Sequence, residues 1–325
     1  MKAIVFSHHG GPEVLRPKTM GKPTPNQNEL LVRVFATTVN REDITKRKGA
    51  PNSGNIPEVL GFEVAGEVIA KGKGTKRYNK GDRVFGLVDG GGYAEYCLID
   101  EQMALPIPDN WSYEYAAAIP KNFIAADESL FEQAGLKRGD SILIHAGGSG
   151  VGTASIQLAH HIGAKVFITA GTDEKITRGI EIGAQTGINY HTHDFSYHIQ
   201  TLTNNLGVDV VQDFIGGKYL VRNVNCLKEG GRLILVSLLD GNKGDLNLSQ
   251  ILAKKLQIKG SSIELQPAEQ KRTMCKRFEE KWLPILKEGN IKPIIDYVFP
   301  WEMIQDSHKH MEGNRNFGKI VLKVR

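Results

Sequence analysis

Three cysteines in 325 residues, Cys97, Cys226 and Cys275, are too few and too far apart for a disulfide framework or a C-x-x-C motif. Reduced thiols in a reducing compartment follow from that scarcity. Long apolar runs are missing too, and no stretch approaches the roughly 18 apolar residues that a membrane span needs. The opening MKAIVFSHHGGPEVL reaches His8 and His9 too early to hold a signal-peptide core, so a cytoplasmic protein is expected. Charge of one sign is equally scarce. Lys and Arg number 41 against 36 Asp and Glu, a net +5, and acids separate the bases except at Lys46, Arg47 and Lys48 and between Lys71 and Lys80. A nucleic-acid arm and a polybasic membrane anchor are thereby excluded. A mildly basic surface still favours an anionic ligand. Internal repeats and low-complexity segments are absent.

What the chain does have is a change of period. Its length suits two domains. Over residues 1–118, KAIVF, ELLVRVFATTV, EVAGEVIA, DRVFGLV and GGYAEYCLI carry β-branched or alternating apolar residues between polar turns, which predicts a mostly antiparallel β-domain. From YEYAAAIPKNFIAADESLFEQAG onward the pattern turns helical, and between SILIHA and LQIKGSSI strands alternate with helices. Each parallel pairing needs a crossover helix, so residues 119–264 read as a doubly wound parallel sheet. The segment 265–325 holds a helical stretch whose Phe278, Trp282, Ile285 and Leu286 share an apolar face for packing. Its short terminal strands, IIDYVF and GKIVLKV, are expected to return and complete the first domain.

The stretch IHAGGSGVGTASIQLA joins a strand to a helix expected from near Val151. Such a turn gathers free backbone N–H groups at the positive end of a helix, where a pyrophosphate binds without charged side chains. It departs from G-x-G-x-x-G: Gly148 and Gly150 are in place, but Thr153 holds the third position. The next strand, VFITA, ends in Ala170, Gly171 and Thr172 with Lys175 a turn further on. Asp173 and Glu174 fall in the first turn of the following helix. A hydroxyl and a lysine, with no acid at the strand end, suit a 2′-phosphate, and NADPH is the expected cofactor. His191, His193 and His198 match no standard ligand spacing and read as a solvated loop. Cys97 and Cys226 sit in apolar contexts and should be inert.

These motifs resemble a known family. VNRED at 39–43 has Asn40 where zinc alcohol dehydrogenases carry a cysteine ligand, and Gly61-Phe62-Glu63 stands where G-H-E would supply a histidine. A four-cysteine structural lobe is missing. With GGPEVL (10–15), LGFEVAGEV (60–68), GDRVFGL (81–87), HAGGSGVGTASIQLA (145–159), DFIGGKY (213–219) and HKHMEGNRNFGKIVL (308–322), the chain resembles the zinc-independent quinone oxidoreductases of the medium-chain dehydrogenase/reductase superfamily. IGG with NVNCL and the Asn-x-Gly-Lys ending are most similar to the tumour-suppressor-inducible NADPH:quinone oxidoreductase branch.

The resemblance implies an α/β protein with a Rossmann domain, a split GroES-like β-domain and no metal. It implies hydride transfer from NADPH to a quinone or related conjugated carbonyl, and a homodimer paired through the edge strand LQIKGSSI. Carried over residue by residue, Ser149, Gly150 and Val151 match the pyrophosphate turn, with Ser149 a hydroxyl donor to phosphate. Gly171, Thr172, Lys175 and Tyr190 match the 2′-phosphate and adenosine pocket, and Ile215, Gly216 and Leu238 the nicotinamide side. Asn316 matches a cofactor contact from the C-terminal segment. Asn40, as a hydrogen-bonding group, and Asp43, as an orienting or water-binding group, match positions lining the acceptor site; both types are also common helix caps and turn residues. Two departures, and a pair of lysines, bear on the acceptor. RKGAPNSGNIP lacks a tyrosine that relatives carry, Ala125 replaces a threonine, and Lys46 and Lys121 suggest a more cationic approach. An enone or enal acceptor is one alternative; an NADPH-binding regulatory or RNA-binding protein with weak or lost catalysis is another.

Overall fold

The computed structural model describes residues 1–49 and 58–325. The segment without the tyrosine lies largely outside the described residues. In chain order the strands are β1 (Lys2–Val5), β2 (Arg16–Thr19), β3 (Glu29–Val39), β4 (Glu63–Lys71), β5 (Arg83–Leu87), β6 (Tyr96–Asp100), β7 (Ala104–Pro106), β8 (Ser141–Ile144), β9 (Lys165–Ala170), β10 (Thr186–Asn189), β11 (Val208–Asp213), β12 (Leu227–Leu235), β13 (Gln257–Gly260), β14 (Ile295–Pro300) and β15 (Lys319–Lys323). The α-helices are α1 (Arg41–Lys48), α2 (Tyr113–Ala117), α3 (Pro120–Asp127), α4 (Gly150–His161), α5 (Asp173–Glu181), α6 (Phe195–Leu202), α7 (Tyr219–Cys226), α8 (Leu248–Lys254), α9 (Ala268–Lys281), α10 (Leu283–Lys287) and α11 (Ile304–Glu312). They form two compact units, Met1–Lys121 with Pro267–Glu288 and Pro293–Arg325, and Asn122–Gln266 with Gly289–Lys292.

The first unit is organised around β3, whose run ELLVRVFATTV is rich in β-branched and apolar residues and is buried along most of its length. Its sheet runs β14-β15-β3-β4-β5-β7, with β6 also paired to β3. All pairings are antiparallel except β14 with β15. Residues from both ends of the chain share one core: Ala3, Leu15, Val39 and Tyr93 cluster with Trp301, Ile304, Ile320 and Leu322. Phe278, Trp282 and Leu286 are buried, and Ile285 is half-buried.

The second unit is a six-stranded, wholly parallel sheet in the order β10-β9-β8-β11-β12-β13. Its inner strands are buried on both faces because crossover helices cover them, which is why they read as unbroken apolar runs. Strand order reverses between β8 and β11, the switch point at which such sheets take up ligands. Among the described residues β13 pairs with β12 alone and forms an edge. On α4, the buried amide of Gln157 donates to Lys292 O (2.8 Å) and accepts from Lys292 N (2.9 Å), fastening residues 289–292 to this unit.

Burial pushes the thiols of Cys97, Cys226 and Cys275 up to about 12, so they are unreactive at neutral pH. His191 and His193 are exposed, and His198 is half-buried. Among the described residues, no group of three His, Cys, Asp or Glu could hold a metal ion, and no helix is long and apolar enough to cross a membrane.

Candidate active site

The parallel sheet's site is made of backbone. After β8 the chain passes His145 and turns at Ala146, which takes a left-handed φ of 49°. Gly147, Gly150 and Gly152 are required by crowding. An added Cβ would lie 2.9 Å from Ile168 Cβ at Gly147, 2.7 Å from the Asn122 amide at Gly150, and 2.4 Å from the Ala146 carbonyl oxygen at Gly152. Helix α4 starts at Gly150, one residue earlier than expected, so the N–H groups of Gly150 and Val151 lie in its first turn without intrahelical acceptors. Ser149 is the N-cap: its Oγ accepts from Gly152 N at 3.0 Å, a bond that leaves the hydroxyl's own O–H to donate elsewhere. No acid occupies the first turn. Backbone donors, a hydroxyl and no competing carboxylate fit a dinucleotide's pyrophosphate. The missing third glycine is explained as well: the close approach of the helix to the turn before it falls at Gly152, while Thr153 is buried and donates its Oγ1 to Gly150 O at 2.9 Å.

On one side of this turn, at the ends of β9 and β10, lie Gly171, Thr172, Lys175 and Tyr190. Thr172 caps α5, its Oγ1 accepting from Lys175 N at 3.3 Å, and a Cβ on Gly171 would meet Tyr190 Oη at 2.6 Å. Asp173 is drawn away by Asn189, whose Nδ2 donates to it at 2.8 Å, so β9 itself ends without a carboxylate. On the other side, past β11 and β12, lie Ile215, Gly216 and Leu238. Gly216 takes φ 66°, and a Cβ there would come within 2.7 Å of Leu238 Cδ2. Asn316 belongs to the first unit, where its Nδ2 donates to Gly318 O at 2.9 Å within its own turn.

The first unit's polar site is made of side chains. Asn40, at the end of β3, directs Nδ2 to Thr38 Oγ1 (3.3 Å) and Glu63 Oε1 (3.2 Å), and its Oδ1 accepts from Lys319 Nζ at 2.6 Å. Lys319 and Glu63, both buried, form an ion pair at 2.5 Å. Thr38 Oγ1 also donates to Glu63, and Lys121 N donates to its other oxygen at 2.8 Å. Burial opposes ionisation of Glu63, but Lys319 and these hydrogen bonds overcome it and hold the carboxyl below its ordinary range. The motif reading misses Glu63 and Lys319 as a pair. A carboxylate within an apolar strand and a lysine opening the run KIVL are the signals each leaves.

Asp43 is wholly buried. Its Oδ2 accepts from Asn40 N (2.7 Å), closing the start of α1, and its Oδ1 accepts from Gly61 N (2.9 Å). Burial pushes it up to about 7, with those two N–H groups opposing. Tyr93 hydrogen-bonds to it and pairs with His308 Nε2 at 3.1 Å; Arg47 donates to His308 Nδ1 at 3.0 Å. The carboxylate thus faces protein donors. Lys46 and Lys121, expected to make the approach more cationic, share a single carboxylate. Both are buried, both pair with Glu42, and both lie over the Phe62 ring, at 5.5 and 5.1 Å.

At the two positions where the zinc enzymes carry ligands stand a neutral amide and a phenyl ring, and the amide oxygen already receives an ammonium. That donor set does not fit zinc.

The parallel sheet with its glycine turn, carried on one chain with an antiparallel β-unit, defines an α/β dinucleotide-binding oxidoreductase of Rossmann plus GroES-like architecture. Residues 26–109 match the family described as alcohol dehydrogenase GroES-like domain, and residues 150–280 that described as zinc-binding dehydrogenase. The quinone oxidoreductase of Sus scrofa is 31% identical over 99% of this chain and 97% of its own. The Escherichia coli quinone oxidoreductase complexed with NADPH superposes with a TM-score of 0.90 at 28% identity, covering 99% of this chain and 100% of that one. A crystal structure of an NAD-dependent alcohol dehydrogenase gives 0.88 at 32% identity, covering 100% of both chains. The chain belongs to the zinc-independent quinone oxidoreductase family of the medium-chain dehydrogenases/reductases.

Proposed function

We propose that this protein is an NADPH-dependent, metal-free reductase that transfers hydride to a quinone or a related conjugated carbonyl. The observation that carries the cofactor assignment is the end of β9. Thr172, Lys175 and Tyr190 gather there, and the nearest carboxylate, Asp173, is turned to Asn189. That favours a 2′-phosphate over a free ribose hydroxyl. The NADPH-complexed Escherichia coli relative supports the same reading; the NAD-dependent relative makes it worth testing.

In this reading Ser149, Gly150 and Val151 hold the pyrophosphate through N–H and O–H donors. Ile215, Gly216 and Leu238 receive the nicotinamide half, which supplies the hydride when bound. Asn40 acts by positioning: Lys319, Glu63 and Thr38 fix its amide in one orientation. Reduction of a quinone asks little acid–base chemistry of the protein, and placement of the two partners accounts for most of the rate. Pairing of β13 edges between two copies would give a homodimer.

The test is NADPH and NADH oxidation with a panel of quinones, enones and enals. Turnover with NADPH well above that with NADH is expected. Equal use of NADH would overturn the cofactor assignment. Tight NADPH binding without turnover of any acceptor would favour the regulatory or RNA-binding alternative.

A further inference from the structure

Behind the nicotinamide-side turn lies a run of buried polar groups that the proposed chemistry does not use. His145 follows β8 directly before the glycine turn, Asn223 is on α7, and Asp213 ends β11; all three are wholly buried. The Asp213 carboxylate accepts from Ile215 N at 2.7 Å, Gly216 N at 3.2 Å and Asn223 Nδ2 at 2.9 Å. Asn223 Oδ1 lies 2.7 Å from His145 Nε2, and His145 Nδ1 lies 2.9 Å from Thr169 Oγ1 on β9.

The direction of each bond follows from Asp213, whose oxygens accept from two backbone N–H groups and from the Asn223 amide nitrogen. Asn223 therefore presents its Nδ2 to Asp213 and its oxygen to His145. His145 must then carry its proton on Nε2, and its bare Nδ1 accepts from the Thr169 hydroxyl. Burial holds the imidazole below its ordinary pKa and keeps it neutral, as this arrangement requires. Phe195 and Tyr219 pack edge-on against the ring at 4.7 and 5.0 Å and fix its plane.

Left to itself this turn has many shapes open to it, because two glycines in a row leave the backbone free. Gly216 and Gly217 take φ 66° and 48°, and a Cβ on Gly217 would meet Asp240 O at 2.7 Å. Asp213 also ties in the end of β12, its carbonyl accepting from Val236 N at 2.7 Å. A dinucleotide at the switch point lies across the sheet's C-terminal edge. With its 2′-phosphate end toward β9 and β10, its nicotinamide half extends over β11 and β12, where this turn sits.

We infer that His145, Asn223 and Asp213 form a relay that presets the Ile215–Gly216 turn for the nicotinamide half of the cofactor, with Asn223 its central positioning residue. The inference rests on the cofactor reading above. Asn223→Ala cuts the relay while leaving the adenine-side residues untouched. Titration calorimetry of NADPH and of 2′,5′-ADP, which carries the adenine half alone, separates the two ends. Affinity for NADPH should fall about tenfold, the scale of a lost hydrogen bond to a charged group, and that for 2′,5′-ADP should hold within about twofold. Equal weakening of both ligands, or of neither, would overturn the relay. If Asn223→Ala fails to fold, Asn223→Ser is expected to give the same split. Amide hydrogen exchange in the ligand-free protein gives an independent readout. Exchange at Ile215 and Gly216 should quicken in the variant while that at Gly152 and Thr153 stays as in the parent, and unchanged exchange at Ile215 would overturn the relay. Wild-type protein that binds 2′,5′-ADP no better than 5′-AMP defeats the cofactor reading, and the exchange result then judges the relay alone.

Discussion

The two sites of this molecule are built from different materials. Around Ser149 the ligand-facing groups are backbone N–H donors at a helix start, and the side chains nearby are mostly absent because glycine is the only residue that fits. Around Asn40 the backbone is ordinary strand and helix, and the order comes from side chains that hold one another: Lys319 with Glu63, Asn40 with both, Asp43 with the Gly61 turn. The first kind of site is sensitive to added volume. The second is sensitive to lost charge.

Substitutions can break that contrast, and the largest effect belongs to the side-chain site. Lys319→Met strands the buried carboxylate of Glu63, and a loss of about 3–5 kcal/mol in urea unfolding is expected. Adding Glu63→Gln to that variant should restore part of the loss; a double variant as weak as the single one would mean that the pair is not what holds the cluster. Gly152→Ala comes next. A Cβ 2.4 Å from a carbonyl oxygen forces the turn open, at a cost of about 1–3 kcal/mol and with loss of dinucleotide binding. Unchanged NADPH affinity in that variant would show the turn to be more pliant than its crowding indicates. Lys175→Ala should weaken NADPH about tenfold and leave NADH unchanged, as measured by fluorescence titration.

The gentlest effect is a slope. Asp43, ordinarily near 3.9 in unfolded chains, is raised to about 7 here, chiefly by burial. Between those values the native state binds more protons than the unfolded one. The Asp43 contribution to stability is therefore complete below pH ~4, declines as pH rises to about 7, and is flat above. The stability gap between wild type and Asp43→Asn should narrow from pH 5 to pH 8, and a gap that widens would reverse the assignment.

Legibility in the sequence divides along the same line. Glycines and strand–helix alternation are local, so the six parallel strands and the Ser149 turn can be read from a few neighbouring letters. The Thr153 anomaly is resolved only in space, because it takes the distance from Gly152 to the Ala146 carbonyl to see where the crowding falls. Asn40 and Asp43 are found by motif, but what they face is not. The partner of Glu63 is Lys319, and that of Asp43 runs through Tyr93 to His308, pairs joined only when β15 and α11 reach the first sheet. Lys46 and Lys121 are half-read for the same reason: two lysines in a sequence say nothing of Glu42, the carboxylate that both will meet.

The amide of Gln157, clasping the backbone of Lys292, sets a rule for anyone wishing to graft the nucleotide-binding half onto another protein. A gene fragment ending at Gln266 removes both bonds to Lys292 and uncovers a polar hole in α4. At about 0.5–1.5 kcal/mol for each of the two lost hydrogen bonds, the cut removes a sizeable part of a domain's stability. A transplantable module must carry the tetrapeptide 289–292 as a separate piece, or exchange Gln157 for an apolar residue that makes no demand on it.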